Sequence, residues 1–296
     1  MDEDLLGILH RVQAKYLERR EAQPEFAVSV DESIASENVR SRDVRKAIFG
    51  LPEPAGTVFS MVPTEMTRLM PFFPISDQDK KTREYTEMAW ENSWGRMTLK
   101  GLKLSVYDQD ILLALIRLFQ IQRTLTIETT RHEILRIIGR SRGSKTVTAI
   151  DSAIERLTGT LITLEVWDKG RKNPVYKMGN TLLSGYVITK VGKISLTLNP
   201  YFQKAYWESM VTSLDMTFRM SLRHDVSKSL HLFLTAQPVN YQIHIQKLAP
   251  TIHLNMDQHI RHVRQLLSTA GDELHSKGFL EFFGLKDDMM TTRKKK

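Results

Sequence analysis

The sequence predicts an α+β chain, mainly α, made of two halves with the same order of elements. Three observations lead there. Apolar residues recur at helical spacing in three successive segments between residues 108 and 157. β-rich runs follow at 161–167, 181–189 and 193–198. Helices followed by a strand then return between residues 227 and 283. A length of 296 residues and a mass of 34.2 kDa suit about two domains.

From the start, Leu5, Leu9, Val12 and Tyr16 recur at helical spacing and predict an amphipathic helix. Residues 21–41 are polar and read as a partly disordered tether. Arg42–Phe49 is a short basic and apolar segment that Gly50 and Pro52 terminate. Pro52, Pro54, Pro63, Pro71 and Pro74 make long regular elements unfavourable between 51 and 76. Tyr85–Trp90 and Arg96–Leu104 alternate polar and apolar residues, as in a half-buried hairpin turning at Asn92–Gly95.

The first clear helix starts near Asp108, capped by Ser105 or Asp108, with Ile111, Leu112, Leu115, Ile116 and Phe119 on its apolar face. The close pair Asp108 and Asp110 reads as capping, because a helix N-terminus favours carboxylates. Thr130 caps a second helix, Arg131–Ile138, which Gly139 ends. A third runs from Ser144 to Leu157, with Val147, Ile150, Ile154 and Leu157 along one side. The turn Asp168–Pro174 breaks the strands that follow.

In the second half, Ser227–Ala236, Ile243–Ala249 and Met256–Ser276 read as helices and Gly278–Phe283 as a strand. Three helices and a hairpin with a basic tip is the order of a winged helix, the second and third helices forming a helix-turn-helix. The expected organisation is therefore two tandem winged-helix domains with an added N-terminal β-hairpin. The expected bounds are a helix and tether at 1–50, a first domain at 51–210, a second at 211–290 and a disordered basic tail at 291–296.

Composition narrows the chemistry. The chain has 42 Lys and Arg against 34 Asp and Glu, a net charge of +8, and an isoelectric point near 9.5. An excess of this sign suits a polyanion. It gathers in 131–145, in 168–177 and in the tail. There are no cysteines, which excludes disulfides, cysteine-based zinc fingers, iron–sulfur clusters and a cysteine nucleophile. No apolar run reaches membrane-spanning length, and the acidic Met1–Asp4 is unlike a secretory signal. The expectation is a cytoplasmic protein.

Gly139–Thr146 approaches a P-loop pattern, but Ser144 precedes Lys145 and the segment follows a helix instead of a strand. As a helix-turn-helix turn it makes better sense. Arg140, Arg142, Ser144, Lys145 and Thr148 would then face DNA, with Lys169, Arg171 and Lys172 on the wing. Gln258, His259, Arg261, His262 and Arg264 crowd the start of the last long helix and suit base-edge and phosphate contact. His259 and His262 are three apart and could share a face, but no Asp, Glu and His set completes a plausible metal site nearby, so no metal is expected. No HExxH motif is present. Neither an enzyme nor a cofactor is expected.

The sequence resembles the TrfA-type plasmid replication initiators over residues 70–285. The resemblance is carried by Pro71-Phe72-Phe73-Pro74-Ile75 and by Tyr107–Leu115. It continues in Arg156-Leu157-Thr158-Gly159 and Ser195-Leu196-Thr197-Leu198-Asn199-Pro200. Ser229-Leu230-His231-Leu232-Phe233 and Asp272–Leu280 carry it furthest. It implies tandem winged helices that bind directly repeated origin sites (iterons) in double-stranded DNA and open a neighbouring AT-rich region. It also implies recruitment of the host initiator, replicative helicase and sliding clamp, a monomer–homodimer equilibrium and plasmid copy control. A Gln-Leu-x-Leu-Phe-like clamp-binding peptide is not evident. The residues themselves leave open a tandem winged-helix transcriptional regulator.

Overall fold

The computed structural model describes residues 58–69, 71–75, 84–92, 94–167, 174–207, 210–255 and 259–295. The predicted N-terminal helix and tether, Arg42–Phe49, Lys169, Arg171, Lys172 and Gln258 lie outside the described residues. The chain divides into Met1–Lys46 and Ala47–Lys296, and every described residue belongs to the second unit.

The proline-rich segment forms only short elements: strand β1 (Phe59–Pro63), helix α1 (Thr64–Arg68) and strand β2 (Phe72–Phe73). The expected hairpin is β3 (Tyr85–Asn92) and β4 (Gly95–Leu102), paired antiparallel. β5 (Leu104–Ser105) pairs in parallel with β2 and leads into α2 (Val106–Gln122). Ser105 caps α2 through a reciprocal box: its Oγ accepts from the Asp108 amide, and Asp108 Oδ2 accepts from the Ser105 amide at 2.7 Å. α2 is buried nearly all round because it is the centre of the first core.

Next come β6 (Thr126–Thr130), α3 (Arg131–Ile137), α4 (Ser144–Gly159), β7 (Leu161–Trp167), β8 (Pro174–Thr181), β9 (Leu183–Ile188) and β10 (Lys193–Leu198). Here the strand arrangement departs from the expectation. β7 and β8 join β3 and β4 in a four-stranded sheet of order β3-β4-β7-β8. The register puts Met97 beside Leu164 and Leu99 beside Ile162, all four buried, so apolar matching draws the hairpin there. β10 instead pairs with β6, which runs directly into α3, and with β9.

The remainder is α5 (Pro200–Trp207), β11 (Val211–Asp215), α6 (Met216–Ser221), α7 (Asp225–Thr235), β12 (Asn240–His244), α8 (Ile245–Thr251), α9 (Ile260–Ser276), β13 (Leu280–Lys286) and β14 (Met289–Lys294). The predicted helix Ile243–Ala249 therefore opens with a strand. The tail expected to be disordered is also corrected, since 291–294 belong to β14, the central strand of the order β12-β14-β13. Met290 and Thr292 are buried there, and Lys294 Nζ donates to the Leu234, Thr235 and Gln237 carbonyls at the C-terminal end of α7. Strands and helices occupy comparable lengths among the described residues, so the chain is α+β without being clearly mainly α.

The segments before and after residue 210 are tied together. β1 pairs antiparallel with β11, Phe59 opposite Asp215. Asp110 on α2 accepts from Arg219 Nε of α6 at 2.8 Å and from Lys228 Nζ of α7 at 2.5 Å. Arg219 also donates to Gln109 Oε1 and to the Lys228 carbonyl. Asp110, Arg219 and Lys228 are all buried. Asp110 is thus no cap, which corrects the sequence reading. Asp108 is the capping carboxylate, and it also takes a two-pronged contact from Arg156 on α4.

Candidate nucleic-acid interface

In the first half, Thr130 Oγ1 accepts from the Glu133 amide and starts α3. Gly139, at φ +63°, turns the chain out of α3 in a conformation that side chains disfavour. Thr146 Oγ1 accepts from the Gly143 amide at 2.8 Å and closes the turn into α4. A bidentate contact from Arg131 to Asp151, at 2.7 and 2.9 Å, braces α3 against α4. Asp151 holds the Arg131 guanidinium more firmly protonated than usual through that hydrogen bond.

The turn is thereby braced while its cations stay outside. Arg140, Arg142, Ser144, Lys145 and Thr148 are all exposed. Arg142 and Lys145 have no ion-pair partner among the described residues. Arg140 lies 6.0 Å from the Tyr107 ring, at the edge of cation–π reach, and burial pushes the Tyr107 hydroxyl above its ordinary range. Thr148 Oγ1 turns back to the Ser144 carbonyl at 3.1 Å. Of the predicted first-half residues, Arg142, Ser144 and Lys145 are the freest donors.

Two further groups of cations were not among the expected contacts. Arg136 is exposed on α3. Lys190 and Lys193 are exposed at the tip of β9–β10, where Val191 is 82% exposed. Lys193 stands opposite Thr130, which caps α3, so this tip lies beside the helix pair. Its signal was Lys190-Val191-Gly192-Lys193 between two β-rich runs.

In the second half, β12, α8 and α9 repeat the strand–helix–helix order of β6, α3 and α4. His259 is the N-cap of α9, its Nδ1 accepting from the Arg261 amide at 3.2 Å. That nitrogen is occupied by capping. Arg261 and His262 are exposed and have no side-chain partner among the described residues. Arg264 is held by Asp288, Nε to Oδ1 at 2.5 Å and Nη2 to Oδ2 at 2.8 Å. The pair raises the Arg264 pKa and lowers that of Asp288 through the same hydrogen bonds. Before α9, His253 at φ +57° stacks on Phe73 with ring centres 4.1 Å apart, and its edge meets Trp90 at 4.6 Å. His253, just after α8, is thus seated on Phe73 of β2 and Trp90 of β3.

Among the described residues no group of His, Asp or Glu is placed to hold a metal ion, and no helix is long and apolar enough to cross a membrane.

No family model matches the sequence, and no curated protein matches it. Solved structures do. Domains 2 and 3 of RctB match with a TM-score of 0.54 and 13% identity, over 78% of this chain and 98% of that one. A second crystal structure of RctB domains 2–3 gives 0.50 and 12%, over 73% and 93%. The Pi initiator protein in complex with iteron DNA gives 0.50 and 8%, over 83% and 100%. At these identities the shared property is the fold, and it spans both halves of the described chain.

Proposed function

We propose that this protein is a plasmid replication initiator that binds repeated sites in double-stranded origin DNA. The observation that carries the reading is the pairing of a two-half fold, similar to an initiator bound to iteron DNA, with exposed cations on the second helix of each half. Each half is read as a winged helix, α3–α4 and α8–α9 being the helix-turn-helix pairs. α4 and α9 would enter successive major grooves. Arg140, Arg142, Ser144, Lys145, Thr148 and Arg261 would supply phosphate and base contacts, joined by Lys169, Arg171 and Lys172, which fall between β7 and β8 in the sequence. In the first half the wing is better read as β9–β10, because it pairs with β6 beside the helix pair.

Binding would supply the sequence-specific step. Origin opening, contact with the host initiator, replicative helicase and sliding clamp, the monomer–homodimer balance and a cytoplasmic location belong to the same proposal. No catalytic step is assigned to the chain. The test is transplantation: the gene with its flanking DNA is placed on a plasmid lacking an origin. Autonomous replication that depends on both the gene and the repeats supports initiation. Promoter repression without replication favours the transcriptional regulator.

A further inference from the structure

We infer that Asp288 is a positioning residue that presents Arg264 to a guanine edge; this rests on the DNA-binding reading above. A guanidinium carries five N–H donors in a fixed plane. Asp288 takes the Nε and one Nη2 hydrogen of Arg264. The opposite edge, formed by Nη1 and the remaining Nη2 hydrogen, has no acceptor among the described residues. That edge matches two neighbouring acceptors such as guanine O6 and N7.

The carboxylate is itself held in place. Asp287 and Asp288 form the two-residue turn between β13 and β14, and both have positive φ, +49° and +60°. Such a turn ordinarily uses Asn-Gly or Asp-Gly, so Asp287 is usual there while Asp288 stands where Gly is preferred, which points to a use for its side chain. The Asp288 carbonyl accepts from the Ile245 amide at 2.8 Å, which fixes the turn to the start of α8. Arg264 is therefore clamped between its own helix and an anchored hairpin tip.

Charge decides what the free edge meets. An Arg paired with a carboxylate is close to neutral as a unit, so it gains little from displacing counterions, and its carboxylate repels a phosphate. Its remaining asset is direction, which suits a neutral base edge. Arg142, Lys145 and Arg261 are unpaired and suit phosphate. Arg264 and Asp288 stand twenty-four residues apart, a separation at which no local sequence pattern reveals the pair.

The experiment selects bound sequences from a randomised duplex library with the full wild-type chain, then repeats the selection with Asp288→Asn, Arg264→Ala, the double variant and Asp287→Asn. Asn tolerates the turn conformation but cannot accept both guanidinium donors. Thermal unfolding checks that each variant folds. We expect one guanine to lose its preference in Asp288→Asn and in Arg264→Ala, with the double variant no worse than Arg264→Ala. 7-Deazaguanine at that position removes one of the two acceptors and should weaken wild-type binding, by less than the about 5- to 150-fold of a whole bidentate contact. Asp287→Asn should select the wild-type sequence. A consensus unchanged in Asp288→Asn, or equal weakening on every sequence, overturns the inference alone. No consensus from the wild-type chain overturns the DNA-reading proposal together with it.

Discussion

Replacing Asp110 with Ala should destabilise the whole described unit, because it strands two buried cations. Asp110 is 2% exposed, Arg219 0% and Lys228 4%, so solvent cannot replace the missing carboxylate. Arg219 keeps Gln109 Oε1 and the Lys228 carbonyl, both neutral acceptors. Lys228 Nζ loses the acceptor at 2.5 Å. Breaking a buried pair by removing one partner costs about 3–5 kcal/mol, and two stranded cations place Asp110→Ala toward the upper end. That is a large share of a typical folding free energy of roughly 5–15 kcal/mol. Urea unfolding followed by circular dichroism measures it. Apolar replacement of all three, Asp110→Leu with Arg219→Met and Lys228→Met, removes the stranded charges and should recover most of the stability. A change below about 1 kcal/mol in Asp110→Ala, or a triple variant no better than the single one, would refute the role given to the buried cluster.

Other expectations follow from the same geometry. Arg142→Ala with Lys145→Ala should weaken binding to random-sequence duplex and reduce the salt slope by about 1 for each phosphate no longer neutralised; filter binding across salt concentrations shows it, and an unchanged slope removes this turn from the interface. Gly271→Ala should lower the melting temperature. A Cβ there would lie 2.1 Å from the Phe283 ring, and overpacking costs about 1–3 kcal/mol against roughly 1 kcal/mol gained from helix propensity; a raised melting temperature would contradict it. His231 is fully buried, and burial, aided by Arg219 and Lys294, holds its pKa well below the ordinary range. The unfolded chain then binds the extra proton below about pH 6.5, so stability falls as pH drops from there, by up to about 1.4 kcal/mol per unit. His231→Leu should flatten that part of the stability–pH curve, and an unchanged curve would show that another group sets it.

Caps and helical stripes were readable because they are local. Thr130 followed by Glu133, and Ser105 followed by Asp108, state their helix starts in four residues, and the structure keeps both. The hairpin at 85–102 was readable from alternation. Long-range pairing was not. Thr163 and Thr197 look alike in sequence, yet β7 joins β4 and β10 joins β6, because burial and register decide between them. The strand Met289–Lys294 was hidden by its basic end, whose Lys294 ammonium is spent on the carbonyls at the end of α7. Asp110 carried one overlooked signal: a carboxylate next to Ile111 and Leu112 on a buried helix needs a cation, and Arg219 and Lys228 are more than a hundred residues away. For the candidate interface, Arg142 and Lys145 emerge as exposed cations, whereas His259 serves as a cap and Arg264 is paired.

Hydroxyl-radical footprinting of the full chain on DNA flanking its gene tests the two-half reading most sharply. Two protected patches are expected on each bound repeat, one for each half, with Arg142→Ala and Lys145→Ala erasing only one of them. A single patch per repeat, or disappearance of both patches in that variant at saturating protein, would contradict the picture of two halves each presenting one helix to DNA.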